Sequence, residues 1–455
     1  MKIIIVGCGK VGRNIAEVLV QENHDLVLVD SRSEIVEELS NSLDVLGVIG
    51  EATNLPDLKE AGTEIADILL AVTSSDETNM LCCLFARKLN PNIKTIARVR
   101  NYNYSSKEIN YIKDELGLTL VINPEMETAR EISRILRLPA ATQVNTFSRN
   151  RVEIVTFTVN EGNVLINKKV SEIFSKTNGG ILLAGIERDN DIIIPHGDTV
   201  ILENDNVSVV ARPLEIESFF SQIGLVKNPI KNVTICGGSA IAYYLTYQLQ
   251  RSKVNVKIIE RDRERCEHLA EILPNATIIC GDGTDNNLLL EEGLKEADAF
   301  VSLTNVDEEN VMLSLFAKSV SDKKVVTKVN HISYDSVISK LDLGSIVYPK
   351  DIAADKIISY VRGLSNADAY GSNITSLYRI MNNKAEALTI KITDEGKITN
   401  KPLKDIQFKD DLLICSIIRN DEVITPSGSD VLNVGDTVIV VTSNKGFDSI
   451  EDIVK

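Results

Sequence analysis

Residues Lys2-Ile3-Ile4-Ile5-Val6-Gly7-Cys8-Gly9-Lys10-Val11-Gly12 join a continuous β-branched run to three glycines at G-x-G-x-x-G spacing. A run without polar alternation suits a strand buried on both faces of a parallel sheet. Val11, Ile15, Val18 and Leu19 then recur at helical spacing, so a helix follows at once. Three glycines alone arise readily by chance, but these sit between a buried strand and an amphipathic helix. The next strand, over 26–29, ends at Asp30, close to the spacing of the dinucleotide fingerprint. In that fingerprint Gly7 permits the tight turn, Gly9 lets backbone amides approach a pyrophosphate, and Gly12 lets helix and strand pack closely. The helix N-terminus then faces the phosphates.

Downstream, Ser33 is placed to cap a second helix reaching Leu43, and 45–49 reads as a third strand. Asn54 with Pro56 opens a short helix that Gly62 closes. A fourth strand over 68–72 precedes Ser74-x-x-Glu77, a capping box for a helix carrying Met80, Leu84 and Leu89. Strands over 96–99 and 120–122 follow, then a periodic helix over 126–138 that leaves the sheet. Strands alternating with helices at this rhythm predict a parallel, doubly wound sheet. From Val152 the pattern changes to alternation through Ile154, Thr156 and Thr158, which predicts a small α+β lobe of roughly 80 residues.

The whole pattern occurs twice. Ile5-Val6-Gly7-Cys8 realigns with Ile235-Cys236-Gly237-Gly238, and Asp30 with Glu260. Gly50-Glu51-Ala52-Thr53 matches Gly281-Asp282-Gly283-Thr284, and Thr73 with Asp76-Glu77 and Asn79 matches Thr304 with Asp307-Glu308 and Asn310. Further on, Pro195-x-Gly197 and Asp205-x-Val207 pair with Pro426-x-Gly428 and Asp436-x-Val438. The expected fold class is therefore α/β, with two doubly wound Rossmann-type sheets, each followed by a small α+β lobe. The expected segments are 1–125, a crossover helix 126–143, 144–228, 229–350, a crossover helix 351–368, and 369–455, with the joint between halves near Lys227-Asn228-Pro229.

Asp30 would accept hydrogen bonds from a ribose diol and repel a 2′-phosphate, which favours NAD(H) or an adenine nucleotide over NADP; Arg32 would partly offset that repulsion. Thr73 and Ser74 fall at the carboxyl end of the fourth strand, where such sheets place their ligand crevice, and serve equally well as helix caps. Glu51 is either a contact on the adenosine side or a solvated loop residue. Arg98 is either a phosphate contact or a member of a surface ion pair. The second turn reads Gly237-Gly238-Ser239-Ala240-Ile241-Ala242. Ser239 there is expected to crowd the diphosphate, while Glu260 keeps the ribose-binding carboxylate.

Composition excludes other classes. With 49 basic against 65 acidic residues and a net charge of −16, nucleic acid and anionic membrane surfaces are disfavoured as partners. The longest apolar runs, such as 192–194 and 438–441, fall far short of the roughly 18 to 20 residues of a membrane span, so no direct membrane insertion is expected. The chain opens on a strand rather than a signal peptide. Seven cysteines are scattered without Cys-x-x-Cys or zinc spacing and read as small buried thiols of a reducing compartment. An NAD-dependent oxidoreductase is the rival function, but it needs a proton-transfer group. His24, His196, His268 and His331 fall in turns, surface helices or loops, and no Tyr-x-x-x-Lys pair occurs.

With paired Rossmann lobes, paired small lobes, the Gly7 to Gly12 turn, Gly50-Glu51-Ala52-Thr53 and Thr73-x-x-Asp76-Glu77-x-Asn79, the sequence resembles the Trk potassium-uptake regulatory proteins, TrkA, with tandem RCK N- and C-lobes. The resemblance implies a non-enzymatic cytoplasmic protein, peripheral to the inner face of the cell membrane, that assembles as a homo-oligomer (dimer or tetramer) on a membrane potassium transporter. It implies NAD(H) at a first site and ATP/ADP or NAD(H) at a second. Carried over, the first site comprises Gly7, Cys8, Gly9, Lys10 and Val11 at the phosphates, Asp30 at the ribose, then Glu51, Ala52, Thr73, Ser74 and Arg98. The second comprises Gly237, Gly238, Ser239, Ala240, Ile241, Glu260, Asp282, Thr304 and Lys328. Glu51 stands where the family usually has Asp.

Overall fold

The structure, a computed structural model, describes residues 1–455 apart from 22–23, 101–105, 139, 148–150, 175–179, 190, 226–229, 331–340, 342, 371–373, 382–384 and 445–452. The expected joint at 227–229 and His331 lie outside the described residues.

The first Rossmann lobe alternates β1 (Lys2–Val6), α1 (Lys10–Gln21), β2 (Asp25–Asp30), α2 (Ser33–Leu43), β3 (Leu46–Ile49), α3 (Leu55–Glu60), β4 (Ile68–Ala71), α4 (Asp76–Leu89), β5 (Lys94–Arg98), α5 (Ser106–Leu116) and β6 (Leu120–Ile122). All its strands run parallel, in the order β3-β2-β1-β4-β5-β6. The order reverses beside β1, which opens a crevice at the carboxyl ends of β1 and β4. Ile3, Ile4 and Ile5 are fully buried, as the uninterrupted apolar run requires of a strand covered on both faces. Burying each such side chain is worth about 1.5–3 kcal/mol.

Helix α6 (Pro124–Arg137) then leads into β7 (Ala141–Phe147), β8 (Val152–Thr158), α7 (Val170–Phe174), β9 (Leu182–Arg188), β10 (Asp191–Ile193), β11 (Asn206–Ala211) and α8 (Pro213–Gln222). These strands form an antiparallel sheet, β10-β9-β11-β8-β7. The second Rossmann lobe repeats the first with β12 (Asn232–Cys236), α9 (Ala240–Arg251), β13 (Asn255–Glu260), α10 (Arg263–Ile272), β14 (Thr277–Cys280), α11 (Asn286–Glu291), β15 (Ala299–Ser302), α12 (Asp307–Val320), β16 (Lys324–Lys328) and β17 (Ser345–Val347). Its parallel order is β14-β13-β12-β15-β16-β17. Helix α13 (Pro349–Tyr370) precedes β18 (Ile374–Ile380), β19 (Ala385–Lys391), β20 (Leu412–Arg419), β21 (Glu422–Ile424) and β22 (Thr437–Thr442), a second antiparallel sheet ordered β18-β19-β22-β20-β21.

Contacts divide the chain into two units, each drawn from both halves: Met1–Leu136 with Ile230–Ile358, and Arg137–Pro229 with Ser359–Lys455. In the first unit, α6 leaves its own sheet and buries Ala129, Ile132 and Leu136 in the core of the second Rossmann lobe, against Val233, Leu245 and Val326. Polar ties accompany this exchange. Asn123 donates to the Tyr244 hydroxyl at 3.0 Å, and Asn14 of α1 donates to Asp351 of α13 at 2.7 Å. In the second unit, one core joins Ile154, Ala184 and Val210 to Ala387, Ile439 and Val441 from the other half. Strand β8 is buried on both faces, so the alternation read from Ile154, Thr156 and Thr158 separates two cores rather than core from solvent. Each half of this unit also holds the matching ion pair, Arg188 with Asp205 at 2.8 Å and Arg419 with Asp436 at 2.7 Å.

Local expectations fail at three points. Ser33 is the first residue of α2 rather than its cap, and Arg32 holds the cap position with extended backbone and no capping side chain. The cap of α4 is Ser75, not Ser74. Its hydroxyl accepts the Thr78 amide at 3.1 Å and donates to Glu77 at 2.9 Å, because Ser74 belongs to the preceding strand-end turn. Six cysteines are buried as free thiols, but Cys280, the last residue of β14, is exposed.

Candidate nucleotide-binding sites

The turn after β1 is fixed by two of its glycines. Gly7 has a φ of 99°, and a Cβ on it would lie 2.8 Å from the Thr73 nitrogen; on Gly12 a Cβ would lie 2.1 Å from the Gly7 carbonyl oxygen. On Gly9 it would meet nothing within 4 Å. The fold therefore demands Gly7 and Gly12, while Gly9 leaves open space beside the helix N-terminus. Behind the turn, buried Asp30 accepts the Cys8 amide at 2.8 Å and the Arg32 amide at 3.1 Å. The Arg32 guanidinium grips the same carboxylate through Nε at 2.9 Å and Nη2 at 3.0 Å. Burial pushes the Asp30 carboxyl up, but the hydrogen bonds from Arg32 and Cys8 outweigh it and hold the group below its ordinary value. Asp30 is thus an ionised acceptor at the tip of β2.

A cavity of about 580 Å³ opens over this turn. Of the expected residues, Gly7, Gly9, Lys10, Val11 and Asp30 line it, together with Glu51, Ala52, Thr73, Ser74 and Arg98. Cys8 and Gly12 do not; both are buried behind it. Glu51 is exposed at the rim, with its backbone amide donating to Asp57 at 2.7 Å. Arg98 is not a member of an ion pair among the described residues. It is half-buried, donates to the Thr73 carbonyl at 2.5 Å, and leaves a buried Nε without a partner. Burial, then the neighbouring Arg100, lowers its guanidinium below the ordinary value.

Buried Asn79 locks the strand ends that carry these groups. Its Oδ1 accepts the Thr73 amide at 2.8 Å and hydroxyl at 2.7 Å, while its Nδ2 donates to the Arg98 carbonyl at 2.9 Å. The other half repeats the device. Asn310 accepts the Thr304 amide at 2.8 Å and donates to the Lys328 carbonyl at 3.1 Å. Because Asn79→Leu leaves a buried amide and carbonyl unpaired, it is expected to cost about 2–4 kcal/mol of stability. Chemical denaturation of the full chain checks this; a midpoint equal to wild type would exclude the role.

The second cavity, about 690 Å³, is lined by Gly237, Gly238, Ser239, Ala240, Ile241, Glu260, Asp282, Thr304 and Lys328. Gly237 repeats the strained turn with a φ of 103°. Glu260 accepts the Gly238 amide at 2.6 Å and the Asp262 amide at 2.9 Å, without an arginine on its carboxylate among the described residues. Asp282 is exposed and held by the amide and hydroxyl of Thr284, which keep its carboxyl below the ordinary value. Lys328 is buried, and burial lowers its ammonium. Ser239 differs from expectation. Its hydroxyl turns back to accept the Ala242 amide at 3.4 Å as the cap of α9, so it competes for a helix N–H rather than simply crowding the turn.

Among the lining residues that escaped the sequence reading are Lys350 in the first cavity and Glu125 in the second. Each arrives from the opposite half, because α6 and α13 start beside the other lobe. The signal was present in the repeat, where Pro124-Glu125 aligns with Pro349-Lys350. The cavities consequently differ in charge. Lys10, Arg32, Arg98 and Lys350 face Asp30 and Glu51 in the first. In the second, Arg261, Arg265 and Lys328 face Glu125, Glu260, Asp262, Asp282 and Glu309.

Among the described residues no group of three or more His, Cys, Asp or Glu is placed to hold a metal ion, and no helix is long and apolar enough to cross a membrane.

Comparison with known proteins identifies the family and the fold. The TrkA-N domain model matches residues 3–124 and 233–349, and the TrkA-C domain model matches 154–224 and 388–455. The chain is 32% identical over 449 residues to the Trk system potassium uptake protein TrkA of Vibrio alginolyticus, covering 98% of this chain and 97% of the relative. It is 31% identical over 455 residues to a TrkA homolog of Archaeoglobus fulgidus, covering both chains completely. Among solved structures, the GsuK channel bound to NAD aligns with a TM-score of 0.64 at 17% identity, over 97% of this chain and 76% of that one. The GsuK RCK domain aligns with a TM-score of 0.61 at 17% identity, over 97% and 92%. At that identity the likeness concerns the fold. The relatives are named for potassium uptake rather than for a catalysed reaction, so an oxidoreductase is not favoured. With both domain models matched twice in tandem and relatives of this identity along its full length, the chain belongs to the TrkA family of Trk system potassium uptake proteins.

Proposed function

We propose that this chain is the nucleotide-sensing regulatory subunit of a Trk-type potassium uptake system, acting on the cytoplasmic face of the membrane as a homo-oligomer that gates a potassium transporter. NAD(H) occupies the first site, and ATP/ADP or NAD(H) the second. The observation that carries this reading is the first cavity, where an ionised Asp30, a glycine turn with open space at Gly9, and the cationic Arg98 line one crevice. A carboxylate for the ribose, helix N–H groups for the pyrophosphate and a cation beyond them suit an adenine nucleotide. The NAD bound to the fold neighbour GsuK supports the same class of ligand. Regulation then follows if the ligand binds one arrangement of the lobes better than another.

Thermal unfolding with NADH, ADP and ATP tests the reading. Ligand a hundredfold above its dissociation constant is expected to stabilise the chain by about 2.7 kcal/mol. Absence of any shift with all three, or steady substrate-dependent oxidation of NADH, would refute it.

A further inference from the structure

Lys350 sits in an electrostatically unfavourable place. It is the second residue of α13, where the positive end of the helix dipole disfavours a cation. It also lies against Lys10, the first residue of α1 within the glycine turn of the opposite lobe. Burial, then the Lys10 ammonium, lowers Lys350 below its ordinary value, and the smaller pull of Asp307 and Asp351 does not offset it. Its Nζ donates only to a neutral acceptor among the hydrogen bonds of the described residues, the Asn330 carbonyl. The neighbouring Asp351 accepts a hydrogen bond from Asn14 of α1 and so pins the start of α13 to the first lobe. The equivalent helix α6 carries the favoured charge at this position, Glu125. A residue that opposes both its helix and its neighbour, yet is held at the mouth of a cavity, points to a task outside folding.

We propose that Lys350, delivered by the second Rossmann lobe, is a phosphate ligand of the first nucleotide site. An anionic diphosphate between Lys10 and Lys350 turns their repulsion into a shared attraction, with the glycine-turn amides on the same phosphates. Nucleotide at the first site thereby bridges the two Rossmann lobes of one chain, whereas the second site receives Glu125 at the matching position and has no such bridge. This rests on the nucleotide reading above and adds the residue that couples the lobes.

The test is calorimetric titration of ADP and NADH into the full chain carrying Glu260→Ala, which leaves the first site to report, with and without Lys350→Gln and Lys350→Arg. Lys350→Gln is expected to weaken binding about ten- to hundredfold at low salt and to flatten its salt dependence, with Lys350→Arg restoring most of the affinity. The ligand-free Lys350→Gln chain is expected to melt at the same temperature or higher, which a merely structural role would not produce. Unchanged affinity and salt dependence in Lys350→Gln, beside clear binding by the Glu260→Ala parent, would overturn this proposal alone. No binding by the parent or by wild type would overturn the nucleotide reading and this inference with it.

Discussion

Asp30→Ala is expected to weaken NADH binding at the first site about ten- to hundredfold, and Glu260→Ala to leave that binding nearly unchanged. Asp30 stays ionised because the Arg32 and Cys8 hydrogen bonds outweigh the effect of burial. A charged acceptor for a ribose hydroxyl is worth about 1.5–3 kcal/mol, and each 1.4 kcal/mol is tenfold in affinity. The ligand must share Asp30 with Arg32, whose side chain is 58% exposed and so has solvent to turn into. Two features weaken the second site for a dinucleotide. Ser239 occupies an N–H at the helix start, and five lining carboxylates oppose a diphosphate. Titration calorimetry on both variants separates the sites, with Asp30→Asn as a control that keeps the shape of the acceptor for Cys8. Equal losses in the two Ala variants would show that the sites bind alike and that the charge difference between the cavities has no bearing on affinity.

Periodicity and the repeat carried most of the fold. The apolar run of β1, the helical spacing through Leu19 and the change of pattern at Val152 each mark an element the structure contains. These signals are local, one chain segment burying one face. What remained hidden depends on contacts distant in sequence. The cap of α4 falls on Ser75 because Asn79 and Arg98 bind the backbone of Thr73 and Arg100 binds that of Ser74, removing those residues from the helix start. Arg98 escapes an ion pair because it folds under the Thr73 carbonyl rather than outward. The same limit applies to Lys350 and Glu125. Nothing in the sequence of α6 states that its apolar face is buried on the other Rossmann lobe, so the lobe each charge serves emerges only from packing. In the second unit, β8 illustrates it again, since a strand covered on both sides needs the opposite half of the chain to supply the second cover.

Gly9→Ala and Gly12→Ala are expected to fail in opposite ways, although both remove a glycine from the same turn. At Gly9 a methyl group meets no protein atom within 4 Å, so stability should stay within about 0.5 kcal/mol of wild type. That methyl occupies the space through which a pyrophosphate would approach the amides, so nucleotide affinity should fall sharply. At Gly12 the added carbon lies 2.1 Å from the Gly7 carbonyl, a backbone atom that cannot rotate away. Alanine gains roughly 0.5–1 kcal/mol over glycine inside a helix, but forcing atoms into a filled site costs about 1–3 kcal/mol and here displaces α1 from β1. The overpacking term wins, and a net loss of about 1 kcal/mol is expected, with the geometry of the turn and its ligand binding impaired together. The second half shows how the conflict is avoided: buried Ala242 holds the matching position, so the backbone of that turn is already spaced for a Cβ. Denaturant midpoints and NADH titrations of the two variants decide the matter. If Gly12→Ala unfolds at the wild-type midpoint, a small shift of α1 relieves the contact and the third glycine is not required by packing in this chain.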